Sequence, residues 1–161
     1  MGVFRPLPAA LALLAAAAAT VGGAWLFQAA GYAPCELCLK ERWPYYAGVG
    51  LAALAALAAW RGPSAVARGL LGLLALLFAG SAAFGAYHAG VEWGFWQGPT
   101  DCTGTLDKAA SMTDFLHQLR TVKVVRCDAV AIRILGLSLA GWNAVISAAL
   151  AAFAGAAAVR G

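Results

Sequence analysis

The sequence predicts an all-α membrane protein, a four-transmembrane-helix bundle with a short amphipathic helix in its second long loop. Composition and the spacing of charge carry that prediction. Of 161 residues, 63% are hydrophobic and 11% charged, and the mean hydropathy is +0.78. A soluble domain carries roughly 25% charged residues, so this chain lacks the polar material to cover a soluble globule. A disordered protein and a nucleic-acid binder are excluded on the same ground, since the pI near 9.1 comes with no Lys/Arg run.

The charges frame four uncharged stretches. Thirty residues separate Arg5 from Glu36, 18 separate Arg42 from Arg61, 23 separate Arg68 from Glu92, and 26 separate Arg133 from Arg160. About 20 apolar residues cross a bilayer as a helix, and lipid offers no water to an open strand edge. Spans are expected at roughly 8–30, 44–60, 69–90 and 134–158 of a single membrane domain, residues 1–161. Ala, Leu and Gly dominate these stretches, and small residues let helices approach closely in lipid. The first stretch is much longer than the 7–15 residues of a signal-peptide core, and Gly31-Tyr32-Ala33-Pro34 is a poor cleavage context.

Four spans put both termini and the Arg61–Arg68 loop on one side, and loops 31–43 and 91–133 on the other. Each of the two longer loops is net neutral, so the net charge of +4 comes from Arg5, Arg61, Arg68 and Arg160. By Lys and Arg alone the two-loop side holds seven and the terminal side four. The four sit in much shorter segments, which favours termini inside.

All four cysteines, Cys35, Cys38, Cys102 and Cys127, fall in the two loops that share a side. Two disulfides or one metal site would account for them. Cys35-Glu36-Leu37-Cys38 is a C-x-x-C, a spacing typical of redox-active pairs with depressed thiol pKa values. A Cys102–Cys127 bond would close a long loop and, as a structural staple, stabilise by roughly 3–4 kcal/mol. Zinc is the weaker reading: the second pair lacks tight spacing, and neither His88 nor His117 has a ligand partner at helical or turn spacing.

Around the C-x-x-C, a helical backbone from Cys38 to Arg42 would put both on one face, where the guanidinium would favour the thiolate. Arg42 could equally snorkel to lipid phosphates, and Pro44 disfavours a helical residue before it. Glu41 is expected to pair at the surface with Lys40 or Arg42. His88, near the outer end of the third stretch, is either a proton relay or simply hydrogen-bonded. Asn143 is read as a packing residue of the fourth span. Trp43, Tyr45, Tyr46, Trp93, Phe95 and Trp96 form an interfacial aromatic belt. In the long loop, Met112, Phe115, Leu116 and Leu119 follow helical spacing behind a Ser111/Asp114 capping pair, the expected amphipathic helix. Nucleotide fingerprints, P-loops and serine-nucleophile motifs are absent.

The segment Gly31-Tyr32-Ala33-Pro34-Cys35-Glu36-Leu37-Cys38-Leu39-Lys40-Glu41-Arg42 resembles the P-C-x-L-C-x-x-[EQ]-R signature of the disulfide bond formation protein B (DsbB) family. The likeness extends to Tyr87–Glu92 and to Gly136–Asn143. It implies a thiol oxidase of the bacterial inner membrane, with cytoplasmic termini and periplasmic cysteine loops. Such an enzyme re-oxidises a periplasmic thioredoxin-like thiol oxidase (DsbA-like) and passes two electrons to a membrane quinone, ubiquinone or menaquinone. Carried onto this chain, the partner's thiolate attacks Cys102 of a Cys102–Cys127 disulfide, and the freed Cys127 attacks Cys35. Cys38 then faces the quinone ring, Arg42 holds its oxygen, and Glu41 and His88 position the ring or handle protons. One departure is the absence of an aromatic residue after Cys127, in Asp128-Ala129-Val130-Ala131-Ile132. Related bundles that reduce quinone epoxides usually carry the C-x-x-C after a later span. The non-enzymatic alternative is a membrane scaffold with structural disulfides or a zinc site.

Overall fold

A computed structural model describes residues 5–99, 111–113 and 125–160. Four long helices dominate it: α1 (Pro6–Ala29), α3 (Trp43–Arg61), α4 (Ser64–Glu92) and α5 (Leu139–Arg160). A five-residue helix, α2 (Glu36–Lys40), lies between the first two, and a small antiparallel hairpin, β1 (Arg133–Ile134) and β2 (Leu137–Ser138), precedes the last. The architecture is that of an all-α membrane protein. α1, α4 and α5 are each long and apolar enough to cross a membrane. α3 has 19 residues, about 28 Å of helix, but Trp43, Pro44, Tyr45, Tyr46 and Trp60 dilute its apolar content. Of the amphipathic segment expected from Met112 to Leu119, all but its first two residues lies outside the described residues.

The core is built from small and branched apolar groups. Ala9, Ala10, Leu13 and Ala17 of α1 meet Ala52 and Ala55 of α3, Leu71, Leu74 and Phe78 of α4, and Ala154 and Ala157 of α5, all fully buried. Two glycines permit the closest approaches. A Cβ on Gly85 would stand 2.9 Å from the Ala144 backbone nitrogen of α5, and one on Gly48 would stand 2.7 Å from the Phe78 ring.

Turn chemistry delivers the C-x-x-C to one end of the bundle. α1 stops in a Schellman motif: Gly31 takes φ +97° and donates its N–H to Gln28, while the Tyr32 N–H reaches back to the Phe27 carbonyl. Phe27 and Tyr32 pack edge to face at 5.9 Å and complete the stop. Cys35 then caps α2, its sulfur accepting the Cys38 N–H at 3.2 Å. Pro44 has no N–H for the Lys40 carbonyl, so α2 ends at Lys40 and α3 begins anew at Trp43. At the same end, Leu135 and Gly136 form the two-residue hairpin turn with φ 51° and 86°. The Trp142 indole N–H ties the hairpin to α5 by donating to the Ile134 carbonyl at 2.8 Å.

Candidate functional site: a buried cysteine, histidine and glutamate

Three side chains that are scattered in sequence meet beneath the first loop. Cys35, the cap of α2, is 4% exposed; Glu41, in the turn after α2, is 7% exposed; His88, one turn before the end of α4, is 1% exposed. His88 bridges the other two. Its Nδ1 lies 2.8 Å from Glu41 Oε1, and its Nε2 lies 3.7 Å from Cys35 Sγ. Glu41 is therefore not a surface ion-pair partner of Lys40 or Arg42. Lys40 lies 3.6 Å from Glu36 instead, and the turn forced by Pro44 directs the Glu41 carboxylate inward, where burial raises its pKa.

The two thiols are unequal. The Cys38 side chain, donating to the Cys35 sulfur, brings the Cys35 pKa from 9.0 to about 5 against the opposing effect of burial; His88 and the Cys38 backbone N–H add to the lowering. Cys38 moves the other way, because the neighbouring Cys35 sulfur and burial both disfavour its ionisation. Arg42 is not the group that activates a thiol here, contrary to the shared-face expectation. Its guanidinium turns to the end of α1, donating to Gln28 Oε1 at 2.7 Å and to the Ala24 carbonyl at 3.3 Å.

The cysteines also face different neighbours. Cys35 and Leu37 form a buried cluster with Cys127, against which Cys38, Phe84 and Val125 pack. Cys127 is disulfide-bonded, whereas Cys35 and Cys38 are free thiols. Cys102 lies outside the described residues. On its other side Cys38 borders a cavity of about 360 Å³ between α1, α3 and α5. Its walls include Ala24, Phe27, Pro34, Leu139 and Ile146, and Glu41, Arg42, Tyr45 and Asn143 supply the polar groups.

A model of the family "Disulfide bond formation protein DsbB" matches residues 6–157. The chain belongs to this family. No curated protein and no solved structure matches it. DsbB-family membership makes the chain a disulfide oxidoreductase of the disulfide-bond-forming kind, and the free Cys35–Cys38 pair is chemistry of that kind. Two participants escaped the DsbB-like motif. Gln28, which orients Arg42, is the one polar side chain near the end of the first apolar stretch, a signal available in the sequence. Tyr45, an interfacial belt residue by sequence, is the second. It is 2% exposed, and its hydroxyl donates to Asn143 Oδ1 at 2.7 Å and lies 2.7 Å from Ser147 Oγ. Asn143 thus joins α5 to α3, a packing role.

Proposed function

We propose that the protein is a quinone-reducing thiol oxidase of the bacterial inner membrane that re-oxidises a periplasmic DsbA-like dithiol protein. In this reading the chain is one membrane domain in which α1, α3, α4 and α5 all cross the bilayer, with the termini cytoplasmic and both cysteine loops periplasmic. The observation that carries it is the position of the C-x-x-C between Cys127 on one side and an apolar cavity on the other.

The roles follow from that position. The partner's thiolate attacks Cys102 of a Cys102–Cys127 disulfide, which frees Cys127. Cys127 attacks Cys35 of the oxidised Cys35–Cys38 pair, and Cys38 departs as the thiolate. With Cys35 bonded to Cys127, the neighbouring charge that kept Cys38 protonated is gone, and the thiolate now borders the cavity. The cavity suits a quinone ring: its walls are apolar, its volume is that of a small-ligand pocket, and the Arg42 guanidinium can donate to a carbonyl oxygen. A bound quinone, ubiquinone or menaquinone, supplies an acceptor for two electrons and two protons. Arg42 orients the ring, and Gln28 holds Arg42. His88 moves a proton between Cys35 Sγ and Glu41 Oε1, the two groups it touches.

Purified protein, a reduced thioredoxin-like dithiol partner and a ubiquinone or menaquinone analogue test the reading by quinone absorbance. Turnover is expected, abolished by Cys38→Ser. Arg42→Ala is expected to raise the KM for quinone about tenfold, the loss of one charge-assisted hydrogen bond. No reduction of either quinone above background would overturn the proposal.

A further inference from the structure

The two thiols and the imidazole of this site also stand close enough together to share one metal ion. Cys35 Sγ, Cys38 Sγ and one nitrogen of His88 all lie within 4.8 Å of one another. Zinc bound to sulfur at about 2.3 Å and to nitrogen at about 2.0–2.1 Å separates tetrahedral S and N ligands by about 3.6 Å. The Cys35 Sγ to His88 Nε2 distance is 3.7 Å. His88 is oriented as a ligand: Nδ1 faces the Glu41 carboxylate, so a neutral ring with its proton there presents the Nε2 lone pair to the sulfurs. A carboxylate behind a ligating histidine fixes the tautomer and raises basicity.

We propose that the reduced Cys35–Cys38 pair and His88 form a binding site for a thiophilic divalent cation such as Zn²⁺, and that the ion locks the protein in its dithiol state. Two thiolates neutralise the ion's charge, as a buried site requires. Binding displaces to solvent whatever protons the two thiols and His88 Nε2 carry, and no electron moves. Cys38 borders the cavity, so the fourth coordination position opens there for water. Joining the two sulfurs in a disulfide removes both thiolate ligands, so metal binding and oxidation exclude each other. The inference rests on the Cys35–Cys38 redox pair of the proposed function and not on the quinone.

Cobalt is the probe. Full-length Cys102→Ala/Cys127→Ala protein in detergent, reduced and freed of reductant, is titrated anaerobically with Co²⁺. One ion per chain is expected, with sulfur-to-cobalt charge-transfer absorption and the visible bands of a tetrahedral site. Zn²⁺ should displace it, and the same protein with Cys35 and Cys38 oxidised should show no such absorption. Cys38→Ser should weaken binding and reduce the sulfur-to-cobalt absorption per bound ion to about half, and Cys35→Ser/Cys38→Ser should abolish it. Glu41→Gln, which preserves the side chain's shape, should weaken binding about 10- to 100-fold. His88→Ala should weaken it at least as much. Absence of cobalt–thiolate absorption in the reduced protein would overturn the proposal, as would unchanged affinity in both the Glu41 and His88 variants. Quinone turnover measured without metal on four-cysteine protein keeps failure here distinct from failure of the proposed function.

Discussion

The two ends of the bundle are held together differently. At the far end, Ala9, Ala10 and Leu13 of α1, Leu71 of α4 and Ala157 of α5 are fully buried against apolar neighbours. At the cysteine end the buried set includes Glu41, Ser81, His88, Ser138 and Ser147. Among these, Ser81 Oγ and Ser147 Oγ lie 3.0 Å apart, and Tyr45 links Ser147 to Asn143. The apolar half works through shape, with small residues permitting close approach in the absence of a hydrophobic drive between helices in lipid. The polar half works through partners: removing one group leaves another buried and unsatisfied. Stability and reactivity should therefore separate along the bundle axis.

The strongest break comes at His88. His88→Ala leaves the Glu41 carboxylate buried without its ring partner and removes a group that favours the Cys35 thiolate. Turnover should fall roughly 10²- to 10⁴-fold, the range for losing a general acid–base group. In the reduced parent, alkylation of Cys35 should be half-maximal at about pH 5 and fall below it. In the variant the midpoint should move up toward the ordinary thiol value of 9.0. The linkage sign is that of a depressed pKa. The ionised Cys35 contributes stability to the reduced fold in full above 9.0, and that contribution is lost as the pH falls through about 5. An unmoved alkylation midpoint would show that the ring does not act on the sulfur.

Next in size is a cavity at the far end. Leu71→Ala should cost about 2–5 kcal/mol in unfolding free energy, while the alkylation midpoint of Cys35 stays at about 5. A shifted midpoint would mean that the apolar half tunes the site after all. The smallest effect is expected at the surface of the cysteine end. Glu36 and Lys40 are both about half exposed, one helical turn apart. Glu36→Gln, which removes this pair, should change stability by less than about 0.5 kcal/mol, measured by thermal unfolding in detergent.

The long helices were legible because lipid-spanning segments must exclude charge, and Arg5, Arg42, Arg61, Arg68 and Glu92 mark their limits directly. The capping role of Cys35 and the break before Trp43 were half legible: Pro44 announces a discontinuity but not the direction in which Glu41 then points. That direction depends on α4, since His88 lies 47 positions away in sequence. Reading Glu41 as a surface residue followed from weighing only its sequence neighbours. The same limit hid the clustering of Cys35, Cys38 and His88, since His88 lies on another helix, where no turn spacing records it. Arg42 borders the cavity, and its guanidinium is paired with Gln28 on α1, a residue 14 positions away that the shared helical face of Cys38 and Arg42 does not point to.

The cavity beside Cys38 lies between the first helix and the last, and 360 Å³ has room for a ring but not for a long polyprenyl chain. In the proposed reading, the remainder of such a molecule stays among the acyl chains while its head is held. Encounter then becomes a two-dimensional search within the leaflet, governed by how the carrier partitions into lipid and not by its solubility in water. The protein would sense the substituents on the ring and be indifferent to the number of isoprene units behind it, so that carriers differing only in tail length would compete as equals.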